Sequence, residues 1–197
     1  MLDDLKKEVV HYSNLSYERN LVGAAGGNIS IRKDNFYLIT AGGRSLRDVT
    51  YEDILVVDES CKIIEGKEGL KPSKETALHI NIYKNRPDVD SVVHVHPSYC
   101  TAYSILKKPV PILTASSKLK LREVPVIGYA DPGSELLAGF VADCVKNCPE
   151  FVKALTLEAH GLLAWDKGLC NAFDIAELVE ETARVAFIAD QIAAKNF

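Results

Sequence analysis

The chain has 197 residues, 47% hydrophobic and 25% charged, the profile of an ordinary globule long enough to bury a core without staples. With 23 basic and 27 acidic residues its net charge is −4, which excludes the basic footprint of a nucleic-acid binder and any strong pull toward an anionic membrane surface. No run approaches 18 apolar residues, so no membrane span is expected. The start "MLDDLKKEVVHYSN" does not read as a signal peptide, and five cysteines, an odd count, read as free thiols in a reducing cytoplasm.

Leu5, Val9 and Tyr12 recur at helical spacing and predict an amphipathic helix over 2–19. The glycine-rich "GAAGGNIS" then enters a strand at 29–32, "FYLIT" (36–40) is a second strand, and "ILVVD" (54–58) with "CKIIEG" (61–66) reads as a hairpin whose charged face is solvated. In "KPSKETALHINIYKNRP" a loop precedes a helix. Ser73 is the expected N-cap, Ala77, Leu78, Ile82 and Tyr83 are the apolar stripe, and Pro87 is the stop.

"SVVHVH" (91–96) is a strand, followed by a short helix over 99–106 and short strands at "VPIL" and "VPVI" within 110–127. Ser134 is placed to cap a helix running to about Asn147. Cys144 and Cys148 lie four apart on that helix with no second Cys or His pair near them in sequence, so they read as buried or idle thiols. "ALTLEAHGLLAW" reads as strand, turn, strand, and 171–195 as a long C-terminal helix. Trp165, the only tryptophan, is assigned to packing. The absence of repeats, linkers or strict βα alternation predicts one domain over 1–197, with a mostly antiparallel sheet flanked by helices.

Side chains alternate along a strand, so His94 and His96 share a face. Two imidazoles there suit either a satisfied core pair or a grip on one ion. A metal needs more ligands, and the remaining histidines are His11, His79 and His160. His11 sits on an exposed-looking terminal helix. His79 lies four residues after Glu75, on the same helix face, a spacing that suits orienting that glutamate but reads first as packing or surface. His160 stands at a turn between two apolar strands, with Gly161 freeing the backbone, and is the best third ligand. Three neutral imidazoles suit zinc or another divalent transition ion with an open position, which implies Lewis-acid chemistry. Glu75 is the candidate acid–base carboxylate, although carboxylates at helix starts are common for dipole reasons alone.

Five ordered motifs, "GGNISIR" (26–32), "LITAGG" (38–43), "KPSKETALHINIY" (71–83), "RPDVDSVVHVHPSYCTA" (86–102) and "EAHGLLAW" (158–165), together resemble the class II aldolase/adducin family over about residues 5–190. The likeness is to the branch of L-fuculose-phosphate aldolase and L-ribulose-phosphate 4-epimerase, with related sugar-phosphate dehydratases and decarboxylases. It implies an α/β fold of three layers, α/β/α, with a central mainly antiparallel sheet, and a homotetramer with active sites at subunit interfaces. It implies zinc on His94, His96 and His160, and a glutamate, here Glu75, that ligates the ion in the empty site and swings off as acid/base. It implies an anion site for a substrate phosphate at Asn28, Gly42, Gly43, Ser73 and Lys74, where glycine lets backbone N–H groups approach an anion.

Three positions depart from the fuculose aldolase pattern. Gly42 stands where a hydroxyl residue is expected, with Ser45 or Arg44 near enough to compensate. Lys74 replaces a serine and suits a phosphate or a carboxylate as a point charge. Ala115 replaces a proton-donating tyrosine, and the tail tyrosine lacks a counterpart, leaving Tyr99, Tyr103 and Tyr129 as substitutes. The expected activity is zinc-dependent aldol cleavage of a small sugar phosphate through an enediolate. Decarboxylation of a 3-oxo sugar-acid phosphate is the runner-up, followed by dehydration and epimerisation. The rival outside enzymology is an adducin-like scaffold.

Overall fold

A computed structural model describes residues 2–194. Eight strands form one sheet in the order β4-β3-β2-β1-β5-β8-β7-β6. They are β1 (Asn28–Lys33), β2 (Phe36–Thr40), β3 (Ile54–Val57), β4 (Ile63–Glu65), β5 (Ser91–Val95), β6 (Val126–Ile127), β7 (Ala154–Leu157) and β8 (Gly161–Asp166). Every neighbouring pair is antiparallel except β6 with β7.

Alternation along the central strands loads both faces with apolar side chains, so both faces are covered. Val93, Val95, Leu162 and Ala164 pack toward α1 (Leu2–Glu18) and α6 (Leu169–Ala194). Val92, Leu163 and Trp165 pack toward α2 (Thr76–Asn85) and α5 (Glu135–Asn147). The three-layer α/β/α arrangement around a mainly antiparallel sheet is therefore present. Two shorter helices, α3 (Ser98–Ile105) and α4 (Ala115–Lys120), complete the fold. No described helix is long and apolar enough to cross a membrane. All five cysteines are unpaired, and Cys144 and Cys148 are half-buried against the α5 side of the core.

The structure differs from the sequence expectations at five places. The stretch 110–113 is not a strand, because Pro109 and Pro111 cannot donate to a ladder. It leads instead into α4, whose N-cap Thr114 accepts from Ser117 N. The second short strand shrinks to β6. The expected strand at 61–66 shortens to β4 because Asp58 Oδ1 gathers the N–H groups of Ser60 and Lys62 into a tight turn, with Cys61 at φ 64°. Helix α2 has Glu75, not Ser73, at its N-cap position. Ser73 still shapes the entry: its hydroxyl accepts from Glu75 N, and its carbonyl accepts from the Thr76 hydroxyl at 2.6 Å. The last helix starts at Leu169, and Lys195, its expected end, lies outside the described residues.

Helix α3 follows directly on the histidine pair, and its N-cap Pro97 offers no capping side chain. The cap comes from α6: Glu180 accepts from Tyr99 N at 3.0 Å and from Cys100 N at 2.9 Å. A carboxylate at a helix N-terminus satisfies two orphan donors and complements the dipole. Replacing Glu180 by Ala is expected to lower the free energy of unfolding by about 2 kcal/mol, as for other charge-assisted hydrogen bonds to partly buried donors. A urea denaturation series that shows no change would remove this cap from the account.

Candidate metal centre

The sheet register places the site. Asn28 on β1 lies opposite His94 on β5, and His94 lies opposite Leu163 on β8. Directly opposed residues point to the same face, so Asn28 and His94 both face α2. His96 stands just past the end of β5. His160 closes the turn between β7 and β8, and Glu75 opens α2. The ligand atoms of Glu75, His94, His96 and His160 all lie within 4.8 Å of one another. His94 and Glu75 are buried, while His96 and His160 are half-buried, so the cluster opens on one side only. All four expected ligands are brought together, and His11 is exposed elsewhere on α1.

Close packing forces two glycines. A Cβ on Gly26 would lie 2.6 Å from His96 Nδ1, and one on Gly161 would lie 2.5 Å from Val95 O and 2.6 Å from His96 Cδ2. Gly161 is thus required by close approach of the His96 ring, not by the backbone freedom expected from the sequence. The left-handed residue of that turn is Ala159, at φ 54°. Its N–H donates to Ser104 Oγ at 3.2 Å, so α3 helps to hold the strained turn that presents His160.

The protonation pattern tests whether these side chains fit a cation. His94 Nδ1 lies 3.0 Å from the Leu162 carbonyl, which can only accept, so Nδ1 carries a proton and Nε2 is the atom turned toward the cluster. That nitrogen lies 3.1 Å from Glu75 Oε2 and 3.0 Å from His96 Nε2. Glu75 Oε1 is 3.2 Å from His160 Nε2, yet the alignment makes no hydrogen bond and the oxygen is buried without one. Tetrahedral bonds of 2.0–2.1 Å to zinc set neighbouring ligand atoms about 3.3 Å apart, close to the spacings here. Nitrogen and carboxylate ligand atoms converging at this distance, with Glu75 Oε1 buried and unpartnered, fit a divalent cation.

The electrostatics agree. Burial pushes His96 down to about 3 and His160 down to about 4, helped in both by the neighbouring His94, so both rings are neutral at pH 7. Burial by itself would raise the Glu75 carboxyl, but His94, His160 and the Asn28 amide outweigh it and hold the group well below the usual carboxylate range. Glu75 is therefore ionised at neutral pH.

The expected anion-site residues come together in part. An isolated bridge between Ala41 and Pro72 brings the "AGG" turn against the "KPSK" loop, beside the start of α2. Gly42 N–H is already committed to Lys71 O at 2.9 Å, and a Cβ there would lie 3.1 Å from Pro72 O, so Gly42 seats the loops together. Gly43 takes φ 74°. Ser73 and Lys74 immediately precede Glu75. Asn28 is drawn elsewhere: its Nδ2 donates to Glu75 Oε2 at 3.0 Å and its Oδ1 accepts from His79 at 2.6 Å. Arg44 is paired with Asp53 at 2.9 Å, and the Ser45 hydroxyl caps the turn at Arg47, so neither replaces the missing hydroxyl at Gly42. Ala115 starts α4, and the Tyr129 hydroxyl is exposed and donates to Asp131. A groove of about 1110 Å³, lined by Arg19, Leu119 and Arg184 among others, contains none of the four candidate ligands.

A buried carboxylate and three histidines gathered beside β5 form a group that could hold one metal ion. Residues 7–187 match the family model described as Class II Aldolase and Adducin N-terminal domain, and the chain belongs to that family. It is 38% identical over 182 residues to an L-fuculose phosphate aldolase of Methanococcus vannielii, covering 92% of this chain and 95% of that one. It is 32% identical over 194 residues to a 3-oxo-tetronate 4-phosphate decarboxylase of Haemophilus influenzae, covering 95% and 89%. A solved L-fuculose 1-phosphate aldolase superposes with a TM-score of 0.87 at 30% identity, covering 96% of this chain and 87% of that one.

The low folded-state values of His96 and His160 have a consequence for the metal-free protein. Between about pH 6.5 and 4 the unfolded chain takes up protons on these histidines that the folded chain refuses, so stability falls as pH falls. The depressed Glu75 acts in the same direction at still lower pH. Urea midpoints measured with chelator present should drop between pH 7 and pH 4.5, and less so in His160→Asn. A flat profile would show that these rings titrate normally.

Proposed function

We propose that the chain is a divalent-metal-dependent lyase that cleaves a small sugar phosphate, with L-fuculose 1-phosphate the first candidate substrate and zinc the metal. The observation that carries this reading is the convergence of Glu75, His94, His96 and His160 in a chain related over nearly its whole length to proteins of that name. A bound divalent ion supplies a Lewis acid that polarises the substrate carbonyl.

The remaining work falls to the chain. His94, His96 and His160 hold the ion as neutral imidazoles. Glu75, ionised and buried, takes the proton from the substrate hydroxyl as the carbon–carbon bond breaks and returns one to the electron-rich carbon. Gly43, Ser73 and Lys74 anchor the phosphate, with Gly42 fixing their loops, so that remote binding energy orients the reacting carbons. Asn28 acts on Glu75, to which its amide is committed.

A second reading, decarboxylation of a 3-oxo-acid phosphate, is favoured by the Haemophilus influenzae relative and by Ala115 at the expected tyrosine position. Loss of carbon dioxide leaves the same electron pair beside a carbonyl, so the same residues serve. We further propose that the chain acts as one domain, in a cytoplasm that keeps its five thiols reduced, and as a homotetramer with the site near a subunit contact. Sedimentation would give the assembly mass.

Protein purified without added metal is expected to hold close to one zinc per chain, lost in the His94→Ala, His96→Ala double variant. Chelation should abolish cleavage of L-fuculose 1-phosphate, and zinc should restore it. Release of carbon dioxide from 3-oxo-tetronate 4-phosphate, without aldol cleavage, would select the second reading. Absence of metal from the unsubstituted chain, even after zinc is supplied, would leave an adducin-like scaffold. Lys74→Ala is expected to raise KM about tenfold, a loss of about 1.4 kcal/mol, with kcat nearly unchanged. Steady-state kinetics on the phosphorylated and unphosphorylated sugar would check it.

A further inference from the structure

Behind Glu75 lies a buried polar ladder between β1 and α2. Glu75, His79 and Tyr83 are spaced by four along α2, and Asn28 and Ser30 are spaced by two along β1. Four helical residues advance about 6.0 Å and two strand residues about 6.6 Å, so the two rows stay in step over two helical turns. The contacts follow that step. Asn28 Nδ2 donates to Glu75 Oε2 at 3.0 Å, and His79 Nε2 lies 2.6 Å from Asn28 Oδ1. Ser30 Oγ lies 2.7 Å from His79 Nδ1 and 2.7 Å from the Tyr83 hydroxyl, which also reaches Ser30 O at 3.0 Å. Asn28, Ser30, His79 and Tyr83 are all nearly inaccessible to solvent.

Such a chain has two self-consistent directions. In one, Tyr83 donates to Ser30, Ser30 to His79 Nδ1, His79 Nε2–H to Asn28 Oδ1, and the Asn28 amide to Glu75. In the other every proton is reversed, the Asn28 amide is flipped, and its oxygen faces the Glu75 carboxylate. A carboxylate can only accept, and two acceptors at 3 Å in a dry site repel, so Glu75 selects the first direction. Neutral His79 with its proton on Nε2 then bonds at both ring nitrogens, and the single Tyr83 hydroxyl proton is shared between Ser30 Oγ and Ser30 O.

We infer that His79 is a positioning residue for Glu75, acting through Asn28. It holds the Asn28 amide with its N–H groups toward the carboxylate, and so fixes the carboxylate orientation in which Glu75 meets the metal and the substrate. Sequence spacing favours packing for His79 over orientation of Glu75, and the hydrogen bonds show an indirect route, through Asn28, for the second. The inference rests on the metal-centre reading above, in which Glu75 is both ligand and acid/base.

The test compares His79→Leu, which removes both hydrogen bonds, with His79→Gln, whose amide keeps a donor near the Nε2 position but loses the Ser30 link. Co²⁺ serves as the probe, with affinity read by chelator competition and ligand geometry by its visible absorption. His79→Leu is expected to bind Co²⁺ about tenfold to a hundredfold more weakly, as when other partners of metal ligands are removed. Its spectrum should change and its kcat fall more than KM rises, with His79→Gln recovering most of each.

A purely structural role would lower the melting temperature and leave affinity and spectrum where they were. That result in a folded His79→Leu protein, or a His79→Gln protein no better than His79→Leu, overturns the inference. Should His79→Leu not fold, Ser30→Ala carries the test: a severalfold weaker Co²⁺ complex is expected, and unchanged binding overturns it. An unsubstituted chain that binds no Co²⁺ overturns the metal-centre reading, and the positioning role with it. Normal binding by both the parent and His79→Leu overturns the positioning role alone.

Discussion

Repulsion among electron pairs is the constraint on which the rest of this structure depends. Glu75, His94, His96 and His160 bring their ligand atoms within 4.8 Å of one another, three of the contacts near 3 Å, with Glu75 and His94 buried. Bare lone pairs at that separation, away from water, are costly to hold together. The fold meets the cost with rigid parts. His94 is on a central strand hydrogen-bonded on both sides, and the Leu162 carbonyl fixes its tautomer. His160 sits on a strained turn tied to Ser104, and the glycines at 26 and 161 let the His96 ring lie against backbone.

The two faces of the sheet divide the labour. The α1 and α6 face is almost wholly apolar and supplies burial. On the other face, β1 turns Asn28 and Ser30 toward α2, exchanging apolar packing for a hydrogen-bonded column. A buried polar column is tolerable only when every member is satisfied, and here the ionised carboxylate at one end gives the column its direction. Glu180 extends the same economy to α3: one carboxylate from α6 caps the helix that continues the strand of the histidine pair.

Much of this was legible in the sequence, for local reasons. Period-two alternation put His94 and His96 on one face, and the capping role of Ser134 and the long final helix follow from side-chain chemistry within a few residues. Glu75 was named as a candidate by its helix start and singled out by the family motif, because its partners are 19 or more residues away in sequence and spacing cannot show them. The same distance hid the column. In the sequence Asn28 reads as an anion ligand, Tyr83 as part of an apolar stripe and His79 as packing, and their mutual contacts with Ser30 show only when β1 is set beside α2. Apolar residues between prolines make 110–113 imitate a strand, and Gly161 reads as backbone freedom because steric demand from another strand leaves no mark in its own neighbours.

The sheet order β1-β5-β8 also governs when the site can exist during synthesis. Its parts come from Asn28, from Glu75, from the pair at 94 and 96, from His160 and from the Glu180 clamp, so no early fragment contains a complete set. A ribosome-bound chain lacking β8 would present two histidines on an unpaired strand edge, able to hold an ion weakly and in the wrong company. Contacts separated this widely in sequence form late. The four candidate ligands can therefore meet only after β8 has paired with β5 and α2 has packed against β1.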